Sequence, residues 1–138
     1  MNDSYKAYVA LLGRVLLALM FIQSGFDKWL NISGTAAYIA STGLPLPSVL
    51  AVLAAALELF GGIALVLGVQ VRWVGLAMAL FTVVVGSIFH AYWAVPADQA
   101  AVMQLLFMKN ISVAGGLLLI SALGAGPLSV GGRRKALQ

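Results

Sequence analysis

The sequence predicts an all-α integral membrane protein, a four-helix bundle with both ends in the cytoplasm. Of its 138 residues, 62% are hydrophobic and 9% are charged, whereas a soluble domain carries about 25% charged residues. Four apolar stretches each approach the roughly 20 residues that a helix needs to cross about 30 Å of hydrocarbon. Basic residues also gather on one side of these stretches. The length suits a single domain that spans 1–138.

The four predicted spans follow one another along the chain. They cover residues 8–26, 47–68, 73–93 and 103–123. The first is longer than the apolar run of a signal peptide, which is about 7–15 residues. No small-residue cleavage pattern follows it, so we expect an uncleaved first helix.

The connections between the spans differ in length. The longest, 27–46, is punctuated by Ser33-Gly34-Thr35, Ser41-Thr42-Gly43 and Pro45, and its segment 35–40 has the composition of a short interfacial helix. The second, 69–72, is a tight turn, which predicts that the second and third spans are antiparallel neighbours. The third covers 94–102.

Basic residues set the predicted orientation. With the N-terminus inside, the inner side carries Lys6, Arg72, Arg133, Arg134 and Lys135. The outer side then carries Lys28, and Lys109 lies in the outer part of the fourth span. Because basic loops stay in the cytoplasm, both termini are expected there.

Composition also excludes several functions. The chain has no cysteine, so thiol catalysis and cysteine-ligated metal or iron–sulfur sites are excluded. The net charge of +4 does not indicate nucleic-acid binding, because the basic residues are scattered and positive charge beside a final span is ordinary topology signalling. We therefore expect the lipid bilayer as a partner, and no nucleic acid.

Small and polar residues repeat at helical spacing along three spans. In the first span these are Arg14, Ala18, Phe21, Gly25 and Lys28; in the third, Gly75, Ala79, Thr82, Gly86 and His90; in the fourth, Lys109, Ser112 and Gly116, with Asn110 on the adjacent side. Small residues four apart also allow helix backbones to approach closely in lipid. These stripes are expected to face the interior of the bundle.

Ionisable residues inside the spans are the candidate site residues, because charge within hydrocarbon is rare and usually functional. At 1.5 Å per residue, Glu58 lies about at the midplane, Lys109 roughly 7 Å and His90 roughly 10 Å outward of centre, and Arg14 roughly 5 Å inward. Asn110 and Lys28 complete the six candidates. Lys28, His90, Lys109 and Asn110 fall in the outer half, with Glu58 beneath them and Arg14 below that, which predicts a polar pocket that opens outward.

Glu58 requires either a partner or a proton, because an isolated carboxylate at the midplane would be protonated. Arg14 and Lys109 both lie within reach from opposite sides. One interpretation is a buried ion pair that holds the bundle together. The other is a functional carboxylate, which carries a proton or binds a polar head group.

The remaining candidates have structural alternatives. His90 is the only histidine, and it fits an aromatic belt at the membrane surface or a contact with a quinone-type ring beside Tyr92 and Trp93. Lys109 and Arg14 could extend their charges toward the two membrane surfaces. No metal site is expected, and no catalytic residue can be assigned.

Six motifs together resemble the DoxX family of small bacterial membrane proteins, in particular its YphA-like and YqjF-like inner-membrane branch. They are GRVLLAL at 13–19, SGFDK at 24–28, GLPLP at 43–47, ELFGG at 58–62, FHAYW at 89–93 and FMKNISVAGGLL at 107–118. The resemblance covers nearly the whole chain. It implies a multi-pass four-helix bundle in the bacterial inner membrane.

The resemblance also suggests functions. Some relatives are similar to membrane subunits of quinone-coupled oxidoreductases, including thiosulfate:quinone oxidoreduction, so quinone is the cofactor to test and oxidoreductase subunits are the partners to test. Two alternatives remain open. One is a small ligand-binding or transport bundle, which could act as a homo-oligomer, and the other is a scaffold without catalysis that organises partner proteins. In the oxidoreductase hypothesis, Lys109, Asn110 or His90 would bind a quinone carbonyl, and Glu58 would handle the proton.

Overall fold

The computed structural model describes residues 3–130, which form five α-helices and one 3-10 turn. The helices are α1 (Asp3–Leu30), α2 (Ile32–Ala40), α3 (Pro47–Leu67), α4 (Val71–Phe89) and α5 (Ala97–Leu123), with the 3-10 turn Tyr92–Ala94 between α4 and α5. This part of the chain contains no strand. The all-α prediction is therefore confirmed.

Four of the helices, α1, α3, α4 and α5, are long and apolar enough to cross a membrane. They correspond to the four predicted spans, and α2 to the predicted short helix. The largest differences are that α1 extends beyond 8–26 at both ends and that α5 begins six residues before 103. The basic residues Arg133, Arg134 and Lys135 lie outside the described residues, so the inward orientation stays a prediction.

Local sequence explains where the helices begin and end. Asn31 separates α1 from α2, and its side-chain oxygen accepts a hydrogen bond from the backbone N–H of Gly34 at 3.0 Å, which is a typical N-cap contact. Pro47 begins α3. A backbone N–H at this position would have no acceptor within the helix, so proline loses no hydrogen bond there. Gly68 ends α3 in the left-handed conformation, with φ of 73°, which glycine adopts without steric cost.

The long helices form two antiparallel pairs. The most extensive contacts join α1 to α3 and α4 to α5. Gly25 of α1 faces the backbone of Leu59 in α3, and Gly75 of α4 faces the backbone carbonyl of Leu117 in α5, so that a Cβ at either glycine would overlap its neighbour. The bundle thus consists of an α1–α3 layer and an α4–α5 layer.

The tight turn after α3 makes α3 and α4 antiparallel, as the sequence predicted. Their mutual contact is less extensive than the contact within each pair. Met78 of α4 reaches across to Gly61 of α3, and it is fully buried in the core between the layers.

The buried faces of α1 and α4 are those that the sequence predicted. On α1 the buried residues include Arg14, Ala18, Phe21 and Gly25. On α4 they include Gly75, Ala79, Thr82 and Gly86. For these helices the helical spacing identified the inward stripe correctly.

The predicted face of the fourth span was wrong. The buried residues of α5 are Asn110, Ala114 and Leu117, whereas Lys109 and Ser112 are exposed. The reason is that α5 is apolar almost all round, so polarity along its length marks no face. Its packing against α4 instead involves Asn110, which contacts Gly86, and Leu117, which contacts Gly75.

The first helix stops short of its partner at one end of the bundle, which we call the α2 end. Since Lys28 pairs with Glu58 and Gly25 faces Leu59, Leu30 lies near the level of Ala54. At 1.5 Å per residue, α1 therefore ends about 10 Å below the start of α3. The short helix α2 packs mainly on α3 across this gap and leaves a space beneath it.

Candidate functional site

A cavity of about 260 Å³ occupies the space beneath α2. All five helices contribute to its wall. Five of the six candidate residues line it: Lys28, Glu58, His90, Lys109 and Asn110. The sixth, Arg14, lies elsewhere. The structure therefore brings together at the α2 end the polar residues that the sequence placed in the outer half.

The partner of Glu58 is Lys28. The Nζ atom of Lys28 lies 2.8 Å from Glu58 Oε2 and also donates to the Ser24 hydroxyl at 2.6 Å. The partners considered from the sequence, Arg14 and Lys109, were both wrong. The reason is that α1 continues to Leu30, so Lys28 is a helical residue on the same face as Gly25 and points at α3.

The two members of this pair differ in environment. The side chain of Glu58 is 7% exposed, and that of Lys28 is 29% exposed. A charge as buried as Glu58 requires a partner, because desolvation would otherwise cost several kcal/mol. The ion pair supplies that partner, and its lysine end remains accessible.

His90 ends α4 and enters the cavity from the opposite layer. Its backbone N–H donates to the Gly86 carbonyl at 3.0 Å. The ring nitrogen Nδ1 is buried and has no hydrogen-bond partner among residues 3–130. Buried polar atoms are normally paired, so this nitrogen is available to a bound molecule.

Asn110 and Lys109 come from α5. Asn110 is 7% exposed, and Gly86 makes room for it, since a Cβ there would press on its side chain. Lys109 is exposed over much of its surface yet lines the same cavity. These neighbours thus place one amide and one ammonium group on the same wall.

The rest of the wall is mostly apolar and aromatic. Phe21, Phe81 and Phe89 line it. Tyr38 of α2 lies against Phe89 with ring centroids 5.1 Å apart, which ties the short helix to the end of α4. Ring contacts of this kind contribute about 0.5–1.5 kcal/mol beyond burial.

Two polar wall residues were not predicted from the sequence. Ser24 and Thr35 line the cavity, and Ser24 holds the lysine of the ion pair. The spacing of Ser24 and Lys28, four residues apart, could have indicated this contact. Thr35 carried no such signal, because its position depends on how α2 folds over α3.

A second aromatic group lies beside the cavity on the α4–α5 side. The rings of Tyr92, Trp93 and Phe107 contact one another with centroids 5.0–5.7 Å apart. Trp93 is 60% exposed, as expected of a ring at the membrane surface. Tyr92 and Trp93, which the sequence placed beside His90, therefore form a cluster next to the cavity and do not line it.

Arg14 has a different role at the opposite end of the bundle. Its guanidinium donates to the backbone carbonyls of Ala125 and Leu128, the latter at 2.7 Å, and to that of Val66 at 3.4 Å. Arg14 is 2% exposed. It therefore joins the end of α3 to the segment that follows α5 and takes no part in the cavity.

The chemistry available in the cavity is hydrogen bonding and proton transfer. Carboxylate, ammonium, imidazole and amide groups surround one small apolar space. Within residues 3–130, histidine and carboxylate side chains form no group of three that could hold a metal ion. The arrangement suits an organic ring with polar substituents.

Comparisons with known proteins agree with the family resemblance that the motifs indicate. The DoxX family model matches residues 9–91. The chain is 34% identical to "Inner membrane protein YphA" of Escherichia coli (strain K12), over 91% of this chain and 89% of the relative. It is also 34% identical to "Inner membrane protein YqjF" of the same organism, over 87% of each.

A third relative is named for an activity. The chain is 33% identical to "Putative oxidoreductase CatD" of Bacillus subtilis (strain 168), over 83% of this chain and 82% of the relative. No solved structure matches the chain. With four membrane-spanning helices and relatives named for the inner membrane, this is a multi-pass inner-membrane protein, and it belongs to the DoxX family.

Proposed function

We propose that the cavity beneath α2 binds the head group of a quinone and that the chain is the membrane subunit of a quinone-coupled oxidoreductase complex. One observation carries the proposal. A single small cavity combines aromatic walls with hydrogen-bonding groups from both layers of the bundle. A quinone ring needs both, because it is flat and apolar and carries a carbonyl oxygen on each of two opposite sides.

The volume supports a single ring. A cavity of about 150 Å³ can hold benzene, and the cavity here measures about 260 Å³. A six-membered ring with small substituents therefore fits. The long isoprenoid tail of a quinone would remain among the lipids.

The distribution of polar groups over both layers supports contacts with two carbonyls. The α4–α5 layer contributes Asn110, Lys109 and His90, and the α1–α3 layer contributes Lys28 and Glu58. In our proposal the amide or ammonium group of the α5 wall donates to one carbonyl. Glu58 handles the proton that the other oxygen takes up on reduction.

The electrons must come from elsewhere. The chain has no cysteine, and it carries no flavin, haem or iron–sulfur motif. A partner subunit with a redox centre is therefore part of the proposal. The name of the relative CatD supports an oxidoreductase role without specifying quinone.

A second candidate is a small ligand-binding or transport bundle. The observation that favours it is the cavity itself, with Glu58 in its wall and no Glu58–Arg14 pair to fill it. An amphiphile with a polar head group could occupy the same space without electron transfer. Quinone content separates the two candidates.

The test is to purify the protein from its native membrane in mild detergent and to quantify the extracted quinone per chain. We expect wild type to retain quinone in a stoichiometric amount. Asn110→Leu and His90→Ala should each weaken binding about tenfold, the effect of about 1.4 kcal/mol. Asp98→Asn, a substitution far from the cavity at the start of α5, is the matched control.

The proposal fails if wild type carries no quinone above the lipid background and does not bind added quinone. If the protein then retains another amphiphile that Glu58→Gln releases, the second candidate replaces it.

A further inference from the structure

A second concave space adjoins the cavity. This groove, of about 400 Å³, lies along the end of α1. It shares four lining residues with the cavity: Met20, Ser24, Lys28 and Thr35. The wall between the two spaces therefore contains the Ser24–Lys28–Glu58 hydrogen-bond chain.

The two spaces differ in character. The groove is the more open of the two and is lined by the polar side chains of Gln23, Asp27 and Asn31. Gln23 and Asp27 are exposed. The cavity, in contrast, is bounded largely by phenylalanine and aliphatic side chains. An open, polar groove admits water, whereas the cavity is the more enclosed of the two spaces.

The ion pair spans this boundary. Lys28 lines both spaces, and its side chain is 29% exposed. Glu58 lines the cavity but not the groove, and its side chain is 7% exposed. Lys28 Nζ and Glu58 Oε2 are 2.8 Å apart, a distance at which a proton can be transferred directly.

We propose that Lys28 is the proton connection between the groove and Glu58, with Asp27 as the residue that collects protons at the groove. This inference deepens the proposed function, because it names the route by which a quinone in the cavity would receive its protons. It also predicts their source. Protons enter from the α2 side of the membrane.

The proposed transfer moves protons only and needs no oxidant or reductant. The ammonium group of Lys28 gives a proton to the Glu58 carboxylate, so that an N–H bond breaks and an O–H bond forms. The neutral amine then takes a proton from groove water, which Asp27 resupplies. Glu58 can next donate its proton to an oxygen in the cavity, and the carboxylate is restored.

Other ionisable groups also face Glu58. They are Tyr38 on α2, His90 at the end of α4 and Lys109 on α5, which line the same cavity. None of them lines the groove. Lys28 is therefore the ionisable side chain that both spaces share.

The experiment uses the full chain in lipid nanodiscs without quinone, so that its outcome does not depend on quinone binding. A rapid pH jump across the Glu58 midpoint of each variant is followed by infrared absorption of the protonated carboxyl group. Glu58→Gln assigns the signal. In wild type, Glu58 should protonate as fast as groove water allows.

Lys28→Ala should slow this protonation by about a hundredfold, the scale of a lost general acid–base group. Added methylammonium, which can enter the open groove, should restore most of the rate. Asp27→Asn should slow protonation when buffer is dilute and have little effect when buffer is concentrated. Lys6→Met, at the exposed Lys6–Asp3 pair, is the matched lysine control.

The proposal is overturned if Glu58 in Lys28→Ala protonates at the wild-type rate, or if the rate falls and methylammonium does not restore it. The second result would mean that Lys28 holds the structure. A loss of quinone binding alone, with the relay intact, would count against the proposed function and not against this route.

Discussion

At the residue scale, the two buried charges of the bundle have separate partners. Glu58 is neutralised by Lys28 at the α2 end. Arg14 is paired with backbone carbonyls at the other end. The sequence identified both as candidates and left open whether Glu58 pairs with Arg14, with Lys109 or with a proton. The sequence gives the depth of each charge in the membrane and therefore which side chains could reach one another. The actual pairing also depends on which face of α3 packs against which face of α1.

Replacing Arg14 should lower the stability of the protein without changing quinone binding. Arg14→Met leaves the carbonyls of Ala125 and Leu128 without their donor, which should cost about 3 kcal/mol, since each buried unsatisfied group costs about 1–3 kcal/mol. Thermal unfolding in detergent should show a lower midpoint, while quinone bound per folded chain should remain unchanged. Arg72→Met, at an exposed arginine, is the control. Equal midpoints for the two variants would contradict the role assigned to Arg14.

At the element scale, the site depends on where α1 ends and how closely it approaches α3. The sequence predicted the helices and the inward faces of α1 and α4 because apolar and small residues recur with helical spacing. It could not predict that α1 reaches Leu30, since the segment after 26 carries charges and polar residues. The cavity arises from that end point and from the position of α2, which are both set by contacts distant in sequence.

Alanine substitutions at two glycines of α1 should change the stability of the protein in opposite directions. Gly25→Ala places a Cβ against the Leu59 backbone, so the helices must separate and the Lys28–Glu58 contact must lengthen. Gly13→Ala meets nothing within 4 Å and should stabilise the helix by up to about 1 kcal/mol. Unfolding midpoints of both variants are the measurement. If both substitutions prove neutral, α1 and α3 do not pack as described.

At the scale of the whole molecule, the two ends of the bundle differ in structure. The α2 end carries the cavity and the groove, and the other end carries the Arg14 contacts. The basic residues predict that the α2 end faces away from the cytoplasm. Proton uptake would then occur from that side.

Orientation can be measured directly because the chain has no cysteine. In Ser33→Cys the new thiol lies on α2, and in Val69→Cys it lies in the turn after α3; both positions are exposed. A membrane-impermeant maleimide applied to intact spheroplasts should label the first variant and label the second only after lysis. The reverse pattern would invert the predicted orientation.

The most direct test of the binding site is photolabelling with an azidoquinone in native membranes, followed by peptide mapping. We expect the label to attach to cavity residues on α2, α4 and α5, such as Tyr38 and Phe89, and excess unlabelled quinone to suppress it. Labelling spread over lipid-facing residues such as Leu80 and Leu105, without suppression by unlabelled quinone, would contradict a quinone site beneath α2.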